Sequence, residues 1–192
     1  MSKTPSTMLE LGSQAIDFSL PDPSTNTSVS LTDFAGQPVL VAFICNHCPY
    51  VIHIMDEFSA FAKEYGEKGL KIIAINANDV ENYADDSPEK MVEFVKQYNL
   101  NFPYLFDETQ ETAKAYTAAC TPDFFMYDTA GKLVYRGQFD AARPKSDTPV
   151  NGADMRAAAD ALLAGNAPDS DQIPSLGCNI KWKAGNEPEY FG

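Results

Sequence analysis

Two cysteines separated by two residues, Cys45 and Cys48, have the spacing that most directly indicates a chemistry in this sequence. An apolar run of strand length, residues 39–44, precedes them, and Pro49 follows at a position typical of a first helical turn. A helix beginning here would direct its unpaired N–H groups and its macrodipole at Cys45, which stabilises a thiolate. Cys48 could then close or resolve a disulfide with Cys45. The pattern predicts thiol–disulfide chemistry.

Half of a zinc site is the main alternative for this motif, and inert thiols are another. Tetrahedral zinc sites usually pair a CxxC with a second close pair of ligands. The remaining cysteines, Cys120 and Cys178, are isolated and distant in sequence, and His47 lies inside the first pair. We therefore expect no metal and no cofactor, with a Cys45–Cys48 disulfide as the redox group.

His47 is a third catalytic candidate, because an imidazole beside a thiolate can donate a hydrogen bond and positive charge to it. The alternative is a solvated loop histidine. His53 lies on the following predicted helix, off its apolar face, and we assign it no functional role. Thr121 and Pro122 precede a predicted strand and are candidate substrate-binding residues. A cis bond there would leave backbone groups free to pair with a substrate strand, but the residues alone fit a trans loop proline equally well.

The surrounding pattern predicts the elements that position these residues. Strands and helices alternate before a final strand pair and helix, so we expect an α/β fold with a mixed central β-sheet flanked by helices. We predict one domain over residues 1–192, with an N-terminal extension (1–38) and a C-terminal tail (166–192) packed on it. The predicted strands cover 39–44, 70–76, 102–106, 124–127, 133–136 and 178–182. One predicted helix follows the CxxC, two begin at Ser87-Pro88 and Asp107, and the last contains residues 155–163 and ends at Gly165.

Composition excludes several classes of partner. The formal net charge is −13, which would repel both nucleic acid and an anionic membrane surface. No apolar run approaches the roughly 18 residues of a membrane span, and residues 1–12 do not have the pattern of a secretory signal. Four cysteines are too few for a disulfide framework, so we expect reduced thiols and a cytoplasmic location.

Three segments together resemble the peroxiredoxin-like (AhpC/TSA-type) group of thioredoxin-fold proteins. They are residues 43–51 around the CxxC, residues 120–125 around Pro122, and residues 177–182, which contain Cys178. The resemblance implies a thioredoxin-like fold with an N-terminal extension, a cis bond before Pro122, and Cys45 and Cys48 as attacking and resolving cysteines. The histidine before Cys48 is similar to that of strongly oxidising CPHC proteins.

The sequence also departs from these relatives. Thioredoxins carry a buried acid six residues before the first cysteine, where this chain has Val39, so we expect no negative charge to oppose the thiolate. Peroxiredoxins need P-x-x-x-T/S-x-x-C. If Cys48 is the peroxide-attacking residue, Val41 stands at the proline position, and if Cys45 is, Ala42 stands at the threonine position.

The leading prediction is a thiol-disulfide oxidoreductase that exchanges disulfides with a protein or small-molecule thiol and has an unidentified electron donor. An atypical peroxidase and a non-catalytic redox-sensing module are the alternatives. Cys120 and Cys178 are candidate accessory residues. Cys120 lies two residues before Pro122. Cys178 alternates with Ile180 and Trp182, so in a strand these three would face one side, and for Cys178 the pattern favours a small buried hydrophobic residue over the accessory role.

Overall fold

The computed structural model describes residues 3–191. Alternation of buried apolar runs with amphipathic segments produces ten strands and four α-helices in this part of the chain. In chain order they are β1 (Lys3–Pro5), β2 (Ser19–Asp22), β3 (Thr27–Ser30), β4 (Val39–Phe43), α1 (Pro49–Glu67), β5 (Lys71–Asn76), α2 (Pro88–Gln97), β6 (Tyr104–Phe106), α3 (Glu111–Ala115), β7 (Cys120–Thr121), β8 (Asp123–Tyr127), β9 (Leu133–Arg136), α4 (Ala153–Leu163) and β10 (Leu176–Asn179).

The central sheet has five strands in the order β6-β5-β4-β8-β9. β4 pairs in parallel with β5 and antiparallel with β8, so the sheet is mixed, as the sequence predicts. All five residues of β4 are buried, because helices or loops cover both faces. This central strand carries the chain directly into the CxxC.

The two faces of the sheet support two apolar clusters. Alternate residues of β4 contribute to each, Leu40 and Ala42 to one and Val41 and Phe43 to the other. Helices α1, α2 and α4 pack in the first cluster, whereas α3 and much of the N- and C-terminal segments pack in the second. The predicted arrangement of a mixed sheet flanked by helices is confirmed.

A separate three-stranded sheet, in the order β1-β10-β7, joins the two ends of the described chain beside the CxxC. β10 lies in the middle and pairs antiparallel with both neighbours. The C-terminal segment therefore crosses the end of the domain at which the cysteines lie. No helix within residues 3–191 is long and apolar enough to cross a membrane.

Two local predictions are wrong. The third helix does not begin at a capping box on Asp107, because a turn intervenes and Gln110, in a left-handed conformation with φ of 65°, precedes the first helical residue. Strand β10 ends at Asn179, and the regular alternation stops there. Cys178 consequently packs in the first apolar cluster, while Ile180 and Trp182 pack in the second.

Candidate functional site

The CxxC lies in the connection between β4 and α1, with Cys48 as the N-cap residue and Pro49 as the first helical residue. The prediction that Cys45 occupies the helix terminus is therefore wrong by three residues. Proline suits the first helical position and pushes the residue before it into an extended conformation, here with ψ of 122° at Cys48. Cys45 and Cys48 are both buried, at 1% and 0% exposure.

Thr121 contacts both sulfur atoms of the motif. Its Oγ1 lies 3.3 Å from Cys45 Sγ, and its carbonyl oxygen lies 3.2 Å from Cys48 Sγ, from which it accepts a hydrogen bond when that thiol is protonated. The peptide bond between Thr121 and Pro122 is cis, as the family resemblance implies. The fold thus brings together all five residues predicted for catalysis and substrate binding, since Thr121 contacts both cysteines, Pro122 follows it and His47 lies close to Cys45.

The chain's own C-terminal segment lies against Thr121. In the β7–β10 ladder Cys178 is directly opposite Thr121, and Asn179 is opposite Cys120. A Cβ atom at Gly177 would overlap the Thr121 carbonyl group, so the two strands approach as closely as only glycine permits. The edge predicted to receive a substrate strand is therefore already paired with β10.

The negative charge of the reduced site is favoured at Cys48. Hydrogen bonds from the thiols of Cys178 and Cys45 hold the pKa of Cys48 well below its usual range. The N-terminus of α1 adds to this stabilisation, because Cys48 is its N-cap. Burial raises the pKa of Cys45, and its hydrogen bond to Cys48 and the charge of Asp86 raise it further. The pKa of Cys178 is also raised, first because it donates to Cys48.

Asp86 is the main site residue that the sequence reasoning missed. This fully buried carboxylate accepts hydrogen bonds at Oδ1 from the backbone N–H groups of Asn46, at 2.8 Å, and His47, at 3.3 Å. Its Oδ2 accepts from Asn78 Nδ2 and lies 2.7 Å from His47 Nδ1. The carbonyl of Asp86 accepts from the Asn76 side chain at 2.8 Å. Asp86 therefore fixes the backbone and the imidazole between the two cysteines.

The contact with Asp86 also sets the charge state of His47. The hydrogen bond to this carboxylate raises the pKa of His47, and attraction to Asp86 and Cys48 adds to the effect against the opposing cost of burial. The imidazole stacks on the ring of Tyr83, with centroids 5.7 Å apart. His47 is therefore a positioned and partly buried residue. The expectation that no buried acid opposes the thiolate is wrong, because Asp86 supplies one from a different segment.

One group of potential metal ligands occurs in the described part of the chain. Cys45, His47 and Asp86 offer ligand atoms within 4.8 Å of one another. The 2.7 Å separation of His47 Nδ1 and Asp86 Oδ2 is that of a hydrogen bond. Since both carboxylate oxygens are already engaged, this group fits a hydrogen-bonded pair beside a thiol better than it fits a metal centre.

Cys120 lies on the same strand as Thr121 but faces a different environment. Its Sγ is 3.5 Å from the carbonyl oxygen of Pro122, and burial raises the pKa of this thiol. The neighbouring carboxyl of Asp123 is fully buried, which raises its pKa to about 7. Cys120 therefore lies beside the site, and its predicted accessory role stays a prediction. His53 lies half-buried on α1.

Comparisons with known proteins agree with this geometry. A sequence model of the AhpC/TSA family matches residues 11–136. The thiol-disulfide oxidoreductase ResA from Bacillus thuringiensis subsp. konkukian (strain 97-27) is 31% identical over 126 residues, which are 66% of this chain and 68% of that protein.

Two solved structures extend the comparison. An uncharacterized conserved protein from Geobacillus kaustophilus is 48% identical with a TM-score of 0.93, over 95% of this chain and 97% of that chain. A putative thiol:disulfide interchange protein DsbE from Chlorobium tepidum is 25% identical with a TM-score of 0.58, over 67% of this chain and 84% of that chain. The relatives identify an oxidoreductase of the thiol-disulfide class, and with its CxxC and cis-proline inside the matched range the chain belongs to the AhpC/TSA family.

Proposed function

We propose that this oxidoreductase exchanges disulfides with protein or small-molecule thiols through a Cys45–Cys48 disulfide. The observation that carries the proposal is the placement of Cys48 at the N-cap of α1, where two other thiols donate to its sulfur. A stabilised thiolate is a good leaving group, and it exists only in the reduced protein. The site therefore favours reduction of its own disulfide and oxidation of its substrate.

The exchange has two steps. A substrate thiolate attacks Cys45 Sγ, the Cys45–Cys48 bond breaks, and Cys48 leaves as the thiolate. A second substrate thiolate then attacks the substrate sulfur of the mixed disulfide, and Cys45 leaves and takes up a proton. The substrate has lost two electrons, and the cysteine pair has gained them. A partner disulfide accepts these electrons by the same two steps in reverse, which restores the Cys45–Cys48 disulfide. When a thiol donor instead keeps the protein reduced, the reverse steps reduce a substrate disulfide.

Cys45 is the sulfur at which we propose that the substrate attacks. It is followed by Asn46 and His47, both only partly buried, whereas Cys48 contacts Cys178 and the Thr121 carbonyl. A ring nitrogen of His47 lies within 4.8 Å of Cys45 Sγ, and the hydrogen bond to Asp86 holds the imidazole in this position. We propose that His47 holds a proton beside Cys45 and donates it to the Cys45 sulfur as that sulfur leaves.

The roles are testable with a reduced dithiol peptide as substrate and oxidised glutathione as the final acceptor. Cys45→Ser and Cys48→Ser should both abolish peptide oxidation, and only Cys48→Ser should accumulate a mixed disulfide, at Cys45. Cys120→Ala, which removes a neighbouring buried thiol, is the matched control. Accumulation of the mixed disulfide on Cys48 in the Cys45→Ser protein alone would reverse the two roles. Full turnover without either cysteine would exclude the mechanism. The cytoplasmic location stays a prediction.

A further inference from the structure

The tail strand β10 occupies the position in which a thiol-bearing strand would dock. It pairs antiparallel with β7 immediately before Pro122 and places Cys178 opposite Thr121. The carbonyl of Thr121 is at the same time 3.2 Å from Cys48 Sγ. Thr121 therefore lies between two cysteines from segments 130 positions apart in sequence, counted from residue 48 to residue 178.

Cys48 and Cys178 are also in direct contact. A hydrogen bond joins their side chains, and both residues are buried in the same apolar cluster. The close approach of Gly177 to Thr121 holds this part of β10 in place, since any side chain at that position would overlap the backbone of β7. Cys178 thus faces the CxxC, although the next residues of the tail face the opposite cluster.

We propose that Cys178 is a third redox-active cysteine, which exchanges with Cys48 to form a Cys48–Cys178 disulfide, so that β10 serves as a substrate strand built into the chain. The proposal rests on the proposed function, because it needs a Cys45–Cys48 disulfide as its starting point. Cys178 lies outside the range that matches the AhpC/TSA family model, which ends at residue 136.

The step is an internal exchange with no net oxidation. The Cys178 thiolate attacks Cys48 Sγ, a Cys48–Cys178 bond forms, and the Cys45–Cys48 bond breaks. Cys45 leaves and takes up the proton that Cys178 gave up. The two electrons stay within the three-cysteine group. Cys45 is then a free thiol, and Cys48 is no longer available to resolve a mixed disulfide on it. The Cys48–Cys178 disulfide fixes the tail covalently over the site. The disulfide therefore no longer includes Cys45, the cysteine that faces the substrate.

The Cys45→Ser protein isolates the second disulfide. After treatment with oxidised glutathione and alkylation of remaining thiols, peptide mass mapping should show Cys48 linked to Cys178. The link should persist in Cys45→Ser/Cys120→Ser and disappear in Cys45→Ser/Cys178→Ser, where Cys48 should keep its glutathione adduct. A stable Cys48–glutathione adduct with alkylated Cys178 in the Cys45→Ser protein would overturn the proposal, as would a Cys48–Cys120 link.

Two further measurements keep the outcomes separate. If wild-type protein forms a Cys45–Cys48 disulfide and oxidises the dithiol peptide while Cys45→Ser forms no Cys48–Cys178 link, the inference fails and the proposed function stands. If neither disulfide forms, both fail. Thermal unfolding of Cys45→Ser and of a second variant, Cys45→Ala, checks that both variants are folded. The Cys48–Cys178 disulfide is expected in both.

Discussion

Replacing His47 with alanine should make the cysteine pair more reducing. His47 carries positive charge beside the site, and its hydrogen bond to Asp86 raises its pKa, so the charge persists to higher pH than in an ordinary histidine. The thiolate on Cys48 exists only in the reduced protein, so loss of this charge destabilises the reduced form alone. The substitution also leaves the buried Asp86 carboxylate without its charged partner.

The structure sets the size of this effect. A ring nitrogen of His47 lies within 4.8 Å of Cys45 Sγ, in the same motif as the Cys48 thiolate, and at that separation two unit charges interact by about 3.5 kcal/mol at an effective dielectric constant of roughly 20. Because the His47 side chain is 21% exposed, solvent screening reduces the gain to less than half of this, about 1.5 kcal/mol. This corresponds to a potential lower by about 30 mV for two electrons.

Equilibration with glutathione mixtures, followed by alkylation and mass analysis, measures the potential in wild type and His47→Ala. The difference should be fully present below the ordinary histidine pKa of roughly 6.5 and shrink as the pH rises through the raised value in the folded protein. The matched control is His53→Ala, which removes the other histidine of the chain and should leave the potential unchanged. Equal potentials for wild type and His47→Ala at low pH would refute the electrostatic argument.

Three other predictions concern stability and reactivity. Asp86→Asn should lower the free energy of unfolding in urea by about 2–4 kcal/mol, because one carboxylate serves several buried donors, and the loss should be largest at low pH, where His47 is charged. Asp85→Asn, an exposed neighbour, should change it by less than about 0.5 kcal/mol. Gly177→Ala should destabilise by about 3 kcal/mol through overlap with the facing strand, whereas Gly66→Ala, in open space on a helix, should not destabilise. Reduced protein should consume hydrogen peroxide no faster than an ordinary thiol, and a fast second-order reaction would instead support the peroxidase alternative.

Local patterns were sufficient to predict the scaffold. The apolar run that forms β4, the amphipathic spacing of α1 and the Ser87-Pro88 start of α2 each depend on residues adjacent in sequence. In α2 the Ser87 side chain accepts from the Lys90 N–H, as the cap pattern indicates. The hairpin of β8 and β9 follows from its turn residues in the same way.

The contacts around the CxxC could not be predicted in this way because they join distant segments. Asp86 directly precedes a helix-capping serine, and in sequence it is one acid among many in a chain of net charge −13. Its role appears only when the turn after β5 folds under the motif and orients it toward Asn46 and His47. Cys178 has no sequence signal that distinguishes it from a small buried residue, and the pairing of β10 with β7 determines its neighbours.

These distant contacts polarise the cysteine pair, and this has a consequence for its redox chemistry. Burial, the hydrogen bond to Cys48 and the Asp86 carboxylate raise the pKa of Cys45, while Cys178 donates to Cys48 and lowers the pKa of that thiol. The reduced pair therefore binds one proton rather than two over the range between the two pKa values. Reduction by two electrons with uptake of one proton changes the potential by about 30 mV per pH unit, against about 59 mV when both thiols are protonated. The slope of potential against pH consequently reports the difference between the pKa values of Cys45 and Cys48. The hydrogen bond from Cys178 is the largest cause of the lowered Cys48 pKa, so removal of the Cys178 thiol should raise the pH at which the slope changes from about 59 to about 30 mV per unit.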